Sequence, residues 1–395
     1  MDTIHALIER QPKGSTLLQE FYRDPEVFRR DVERIHLRRW LCVGHQSRIP
    51  NPGDFFVFDL VDDSFLIVRG RDGQVRAFAN VCRHRGSHVC YEKQGNARAL
   101  VCPYHGWAYD LDGRLRSARL SDGKVDPERH SLKPLHLAVV EGLLLVCAAD
   151  EPPDLSGVRE VFGRAAGHYG WARAKVAHRA IYSVDANWKL ATENYLECYH
   201  CAAAHPEFSV AHLTAKPVGE TGEARARVAE RAAAMGIEIP DVDRWPAGKD
   251  GAEGVTCFHD AFKSGTVTGT GDGQAAAPLM GDFTDYDGGF TYMDIGPASF
   301  FLAYPDHSVM YLFVPREPQR TEMEICWLVS EDAKEGVDYD RERLTWLWDV
   351  TTIADKRIID HNQQGVNSHF YEPGVYVEME RQAHKFAEWY LRQIA

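Results

Sequence analysis

The sequence predicts an α+β protein in two parts, a small all-β domain followed by a larger domain of mixed strands and helices. From residue 42 to about 149 the chain carries short apolar or alternating runs. These are punctuated by Asn51-Pro52-Gly53, Asp62-Asp63, Arg71-Asp72-Gly73 and Asp110-Leu111-Asp112-Gly113, a pattern of strands joined by tight turns. Beyond Pro152 and Pro153, strand patterns give way to long helical ones. The 395 residues also exceed what one hydrophobic core usually organises, so more than one domain is expected.

Taken in order, residues 1–40 form an N-terminal helical segment. Leu17, Leu18, Phe21, Tyr22, Val27, Phe28, Val32 and Ile35 recur at helical spacing among charges, so residues 17–40 are predicted as amphipathic helix packed on the larger domain. Residues 41–150 form the β domain, and the apolar run at 135–149, broken by His136, Glu141 and Gly142, reads as buried strands. Residues 151–395 form the second domain. It is predicted to hold a strand at 180–184, a helix opening at Asn187 as N-cap, and strands at 299–304, 308–314 and 323–330. Long helices are predicted at 338–365 and 375–394. Residues 220–288, rich in Gly, Ala and charge, are predicted as loops and short helices.

A net charge of -13 with no block of Lys or Arg excludes a nucleic-acid partner. No apolar run approaches the ~20 residues of a membrane helix. The first residues lack the basic start and apolar stretch of a secretory signal, so a cytoplasmic protein is expected. Nine cysteines without regular spacing fit reduced thiols better than a disulfide framework.

Two pairs stand apart from the other cysteines. Cys82-Arg83-His84 and Cys102-Pro103-Tyr104-His105 place a Cys and a His on each of two loops. That is what gripping a two-iron cluster requires, with thiolates on one iron and imidazoles on the other; imidazole ligation raises the potential so that the cluster accepts electrons from a reductase. Structural zinc takes the same ligand set. Against zinc, Cys-x-His is tighter than common finger spacing, and the following Arg85-Gly86-Ser87 and Gly106-Trp107-Ala108-Tyr109 suit loops that close over a cluster. Residues 40–149 resemble the Rieske [2Fe-2S] domain, which makes Cys82, His84, Cys102 and His105 the cluster ligands.

Residues 187–206 carry the second constellation. Glu197 and His200 are three apart on a predicted helix and hence on one face. His205 precedes Pro206, so the helix is expected to end between the histidines and let two imidazoles converge. A non-haem iron that binds O2 needs two such nitrogens and one carboxylate on one face. A single His on a helix is ordinarily a packing residue and an Asp on a charged helix ordinarily solvated; beside the Rieske-like loops they read differently. Most of the chain resembles the α-subunits of Rieske-type non-haem iron oxygenases. The resemblance implies a helix-grip second domain, a curved antiparallel sheet wrapped on a long helix. The run Asp355-Lys356-Arg357-Ile358-Ile359-Asp360-His361-Asn362-Gln363-Gln364-Gly365 looks like that family's ligand-bearing helix, which makes Asp355 the carboxylate beside His200 and His205 on a mononuclear Fe(II).

The resemblance further implies a homotrimer in which the cluster of one subunit serves the iron of the next. Glu197 would be the carboxylate bridging the two sites. Many members carry Asp there, and Glu197-Cys198-Tyr199-His200-Cys201 is similar to members that oxidise quaternary ammonium compounds such as betaines and carnitine. On this reading the chain is a terminal oxygenase that hydroxylates or N-demethylates a small substrate. Electrons come from a separate NAD(P)H-dependent reductase, directly or through a ferredoxin, since the chain has no dinucleotide fingerprint. A quaternary ammonium cannot donate hydrogen bonds and is held by aromatic faces; Phe283, Tyr286, Phe290 and Tyr292 are candidates. Within the family, mono- or dioxygenation of an aromatic ring is the alternative. Outside it stand a Rieske electron-transfer protein, which has no need of the second constellation, and a metallohydrolase, which has no use for a redox cluster.

Overall fold

The computed structural model describes residues 3–121, 123–214, 222–247 and 251–395. The chain begins with α1 (Thr3–Arg10), α2 (Gln19–Arg23), α3 (Pro25–Asp31) and a π-helical turn over Val32–His36. Ten strands follow: β1 (Leu41–His45), β2 (Asp54–Leu60), β3 (Asp63–Arg69), β4 (Val75–Ala79), β5 (Gln94–Asn96), β6 (Leu100–Val101), β7 (Ala108–Tyr109), β8 (Leu115–Ser117), β9 (Pro134–Val140) and β10 (Leu143–Cys147). The remainder holds α4 (Ser156–Arg164), β11 (Lys175–Val184), α5 (Trp188–Tyr195), α6 (Cys201–Ala204), α7 (Phe208–Ala211), α8 (Glu223–Ala234), β12 (Val242–Asp243) and β13 (Val255–Ala261). It ends with β14 (Gly289–Ile295), β15 (Ser299–Ala303), β16 (Ser308–Glu317), β17 (Arg320–Val329), α9 (Arg341–Val366) and α10 (Arg381–Ile394). Two compact units result: residues 43–139 with 143–152, and the rest of the chain, which includes residues 1–42.

The smaller unit is built of strands. Its main sheet has the order β1-β10-β9-β4-β3-β2-β5 and a second sheet the order β6-β7-β8. Phe55, Leu66, Val68 and Phe78 of the first share one apolar core with Leu100, Tyr109 and Leu115 of the second. The two-residue connection at Glu141 and Gly142 has both φ positive, 45° and 81°, the geometry that matches strand twist in tight hairpins.

The larger unit is organised by an antiparallel sheet of order β11-β17-β16-β15-β14-β13-β12. The 26-residue α9 lies against β11 and α5, which gives the helix-grip architecture. Its buried positions, Leu344, Leu347, Trp348, Thr351, Thr352, Ile359, Gln363 and Val366, follow helical spacing.

Three expectations change. The helix predicted at 17–40 is interrupted at Asp24, which caps α3 by accepting from the N–H groups of Glu26 and Val27. A residue before proline is disfavoured in helical backbone, and Pro25 takes the first-turn position. Residues 220–288, predicted as loops and short helices, contain the 12-residue α8 and the seven-residue β13. The last helix begins at Arg381 after a 3₁₀ turn at Glu378–Glu380.

The helix before the candidate iron ligands is anchored by a buried polar network. Lys189 of α5 forms an ion pair with Asp31 of α3, both side chains fully buried. Asp31 also accepts from Trp188 Nε1 at 3.0 Å and from the Tyr390 hydroxyl of α10 at 2.7 Å. Because each polar group finds a partner, the network fixes α5 against two other helices instead of leaving an unpaired buried charge. No helix of the described residues is long and apolar enough to cross a membrane.

Candidate metal centres and active-site cavity

In the smaller unit, Cys82 lies on the connection from β4 to β5 and Cys102 on that from β6 to β7. The two loops are built alike. Each cysteine carbonyl accepts from a glycine N–H four residues on, Gly86 at 3.0 Å and Gly106 at 2.9 Å, and each cysteine N–H donates at 2.8 Å, to Ser87 O and Trp107 O respectively. Both glycines hold positive φ, 82° and 72°, which a side chain would strain.

This geometry buries the two thiols in the apolar core and leaves the imidazoles of His84 and His105 exposed. The imidazoles meet edge to face at 4.5 Å, with His84 stacked on Trp107 and His105 on Tyr104. The Tyr109 hydroxyl accepts from Arg83 N at 3.0 Å and lies 3.3 Å from Cys82 Sγ. Burial, and after it the neighbouring Cys82 thiol, pushes the Cys102 thiol up, so a Cys102 thiolate is unfavourable here without positive charge beside it. Sulfur is grouped with sulfur and imidazole with imidazole, the division a two-iron cluster needs. A single tetrahedral zinc would draw all four donors within about 4 Å of one another, and among the described residues these four do not converge in that way.

The second centre lies in the larger unit. His205 Nε2 is 2.8 Å and His200 Nε2 3.3 Å from Asp355 Oδ1. Donors about 2.1 Å from one ion and at right angles stand about 3 Å apart, so these three fit a single metal ion. Among the described residues they are the only group of three or more His, Cys, Asp or Glu with donor atoms this close, all within 4.8 Å. Burial works against charge on Asp355, but hydrogen bonds from His200 and His205 hold its carboxyl below the usual range. Burial also works against a charged His200, yet Asp355 and Glu197 carry it up to about 9. The site attracts positive charge.

Glu197 and His200 do not share a helix face as expected. Helix α5 stops at Tyr195, and Glu197 instead takes the backbone N–H groups of Tyr199 and His200, the latter at 3.3 Å. A carboxylate that satisfies those donors competes with the helical ladder. Its other oxygen meets His200 Nδ1 at 2.5 Å, so Glu197 fixes the ring from the side opposite Asp355. Cys198 and Cys201 are joined as a disulfide, Cα atoms 4.9 Å apart, against the expectation of reduced thiols throughout; a spacing of three residues in this turn brings both sulfurs to one side. Among the described residues the other seven cysteines form no disulfide.

Helix α9 positions both halves of the trio. Two turns beyond Asp355, Gln363 Oε1 accepts from Asn187 N at 2.9 Å, and the Asn187 side chain caps α5 through Lys189 N at 3.1 Å. Asp360 accepts from Asp185 N at 2.7 Å.

A cavity of about 150 Å³ lies beside the trio. It is lined by Tyr195, Phe208, His212, Trp348, Thr351 and, from β13 and β14, by Thr256, Phe258, Asp260, Phe290, Tyr292 and Asp294. His212 stacks on Phe208 at 3.8 Å, and burial takes it down to about 3, so it is neutral. Of the four aromatics predicted from sequence, Phe290 and Tyr292 line the cavity. Phe283 packs instead on Tyr169, and the Tyr286 hydroxyl donates to Asp306 at 3.3 Å. Thr256, Phe258, Asp260, His212, Asp294 and Trp348 were not foreseen. Strict alternation of 256/258/260 and 290/292/294 on paired strands is the signal that could have found six of the lining residues.

Residues 39–127 match the Rieske [2Fe-2S] domain, and residues 171–395 match the ring hydroxylating alpha subunit (catalytic domain). The chain belongs to the Rieske-type ring-hydroxylating oxygenases. The two matched domains of this oxygenase are those that bind a [2Fe-2S] cluster and a mononuclear iron. It is 36% identical over 392 residues to the glycine betaine monooxygenase oxygenase subunit of Chromohalobacter salexigens, over 96% of this chain and 86% of the relative. To the carnitine monooxygenase oxygenase subunit of Escherichia coli K12 it is 36% identical over 204 residues, 49% of this chain and 53% of that one. A solved quaternary ammonium Rieske monooxygenase, studied for carnitine oxidation by gut microbiota and inter-subunit electron transfer, matches the oxygenase with a TM-score of 0.73 at 22% identity over 96% of both chains. Naphthalene 1,2-dioxygenase from Rhodococcus sp. matches with 0.69 at 18% identity, over 99% of this chain and 97% of that one. At such identities the two structures speak for the fold alone.

Proposed function

We propose that the oxygenase hydroxylates or N-demethylates a small quaternary ammonium compound, as the terminal component of a system fed by a separate NAD(P)H-dependent reductase. The observation that carries this reading is the lining of the cavity. About 150 Å³ holds either a benzene-sized ring or a trimethylammonium group, so volume does not choose between them. Chemistry does, because Asp260 and Asp294 stand among the aromatic rings. Buried carboxylates penalise a hydrocarbon ligand and favour a cation, and aromatic faces complete the site for an ion that cannot donate hydrogen bonds. Arg381 also lines the cavity and suits the carboxylate of a betaine.

In this assignment Cys82 and Cys102 hold one iron of the cluster, His84 and His105 the other, and His200, His205 and Asp355 hold the mononuclear iron. Bound there, the metals supply electron storage and O2 activation. The chain's own residues supply the rest. Glu197 orients the His200 ring and is the bridge to a cluster histidine of the neighbouring subunit, in a homotrimer of the kind consistent with the inter-subunit electron transfer studied in the structural relative. Trp348, Phe208 and His212 exclude water from the substrate's side of the trio. The protein works in the cytoplasm.

The test is NAD(P)H- and O2-dependent turnover with a surrogate reductase. Glycine betaine, carnitine or proline betaine is expected to be consumed with formation of a hydroxylated or demethylated product. Consumption of simple aromatics and of no betaine overturns the proposal in favour of ring hydroxylation.

A further inference from the structure

Strands β13 and β14 pair with Thr256 opposite Asp294, Phe258 opposite Tyr292 and Asp260 opposite Phe290. Alternate residues share a face of a sheet, and all six line the cavity. In the middle of this wall the rings of Phe258 and Tyr292 lie parallel, centroids 4.9 Å apart and planes 9° apart. At one end stands Asp294, only 2% exposed, one oxygen accepting from Thr256 N at 2.8 Å.

A carboxyl in such a place normally has a cationic partner, because removing an ion from water without one is costly. Arg381 is the only Lys or Arg among the described residues that line the cavity, and the leading charged neighbour of Asp294 is another acid, Asp243. Burial accordingly pushes the carboxyl well above its ordinary value. A buried acid facing a cavity with an acidic neighbour and an aromatic surface beside it is complementary to a ligand that brings the positive charge itself.

We propose that Asp294 is the specificity-determining counter-ion of the substrate's quaternary ammonium, which rests against the Phe258–Tyr292 wall. This deepens the function proposed above and rests on it. The competing role for Asp294 is structural, fastening β14 to the N–H of Thr256. Asparagine keeps an oxygen to accept that bond but cannot become the anion that a cationic ligand needs, so the two roles separate.

The experiment is equilibrium binding by calorimetry to anaerobic holoenzyme, using glycine betaine and its isostere 3,3-dimethylbutanoate, in which a neutral tert-butyl group replaces trimethylammonium and the carboxylate is kept. The unaltered enzyme is expected to prefer the betaine by at least ~10-fold, and Asp294→Asn to weaken the betaine by about 10–100-fold, the range of one charged contact. The isostere should bind the variant within about threefold of the unaltered enzyme, which also shows the cavity intact. Unchanged selectivity in Asp294→Asn overturns the proposal. So does a unaltered enzyme that binds both probes equally, a result that needs no variant. If the unaltered enzyme binds neither betaine nor isostere while turning over an aromatic, it is the quaternary ammonium reading itself that falls.

Discussion

Asp355→Ala is expected to strip the mononuclear iron while leaving the cluster and its visible spectrum in place, so that iron falls from about three to about two per chain. The expectation follows from the geometry of the trio. Asp355 Oδ1 is the atom that both imidazole nitrogens approach, at 2.8 and 3.3 Å, and its negative charge is what makes the two histidines attractive to a cation. Alanine leaves two neutral donors and a void, too little to retain a weakly held divalent ion through purification. The cluster should be spared because its loops close on themselves, each through a cysteine carbonyl and a glycine N–H, within a unit that has its own apolar core. Full iron and full activity in the variant would remove Asp355 from the ligand set.

Glu197→Gln should leave both metals bound and slow the arrival of electrons at the mononuclear iron by about 10–100-fold in a single turnover, the range seen when the acidic partner of a ligand histidine is changed. Glutamine has the same length and still offers an oxygen to the N–H groups of Tyr199 and His200, so the turn between α5 and α6 persists. The negative charge 2.5 Å from His200 Nδ1 is lost, and with it the contact that orients the ring and, in the function proposed, serves as the bridge to a neighbouring subunit's cluster. An unchanged single-turnover rate would reduce Glu197 to a structural acceptor.

These sites differ in how far the sequence alone discloses them. The cluster loops are legible because everything they need is local: a cysteine, a histidine two or three residues on, and a glycine four residues on whose backbone closes the loop. His200 and His205 are legible for the same reason. Asp355 is not, since its partners lie 150 residues away and nothing in a charged helical segment marks one aspartate from another; only resemblance singles it out. Periodicity predicts a helix through Glu197, which α5 does not reach, because periodicity takes no account of a carboxylate that captures its own backbone donors. The cavity wall is less legible still. Strand β13 reads Val-Thr-Cys-Phe-His-Asp-Ala, and its buried His259 is satisfied by Asp287 and Thr291 at 2.8 Å each, a long-range pairing that makes a core strand look polar. As aromatic faces Phe283 and Tyr286 are as eligible as Phe290 and Tyr292, whereas strand alternation, fixed only once β13 and β14 are paired, decides which aromatics face the cavity.

Iron and acid-labile sulfide measured on anaerobically purified protein test the two-centre account most directly. The account predicts about three irons and two sulfides per chain; zinc without sulfide would contradict it.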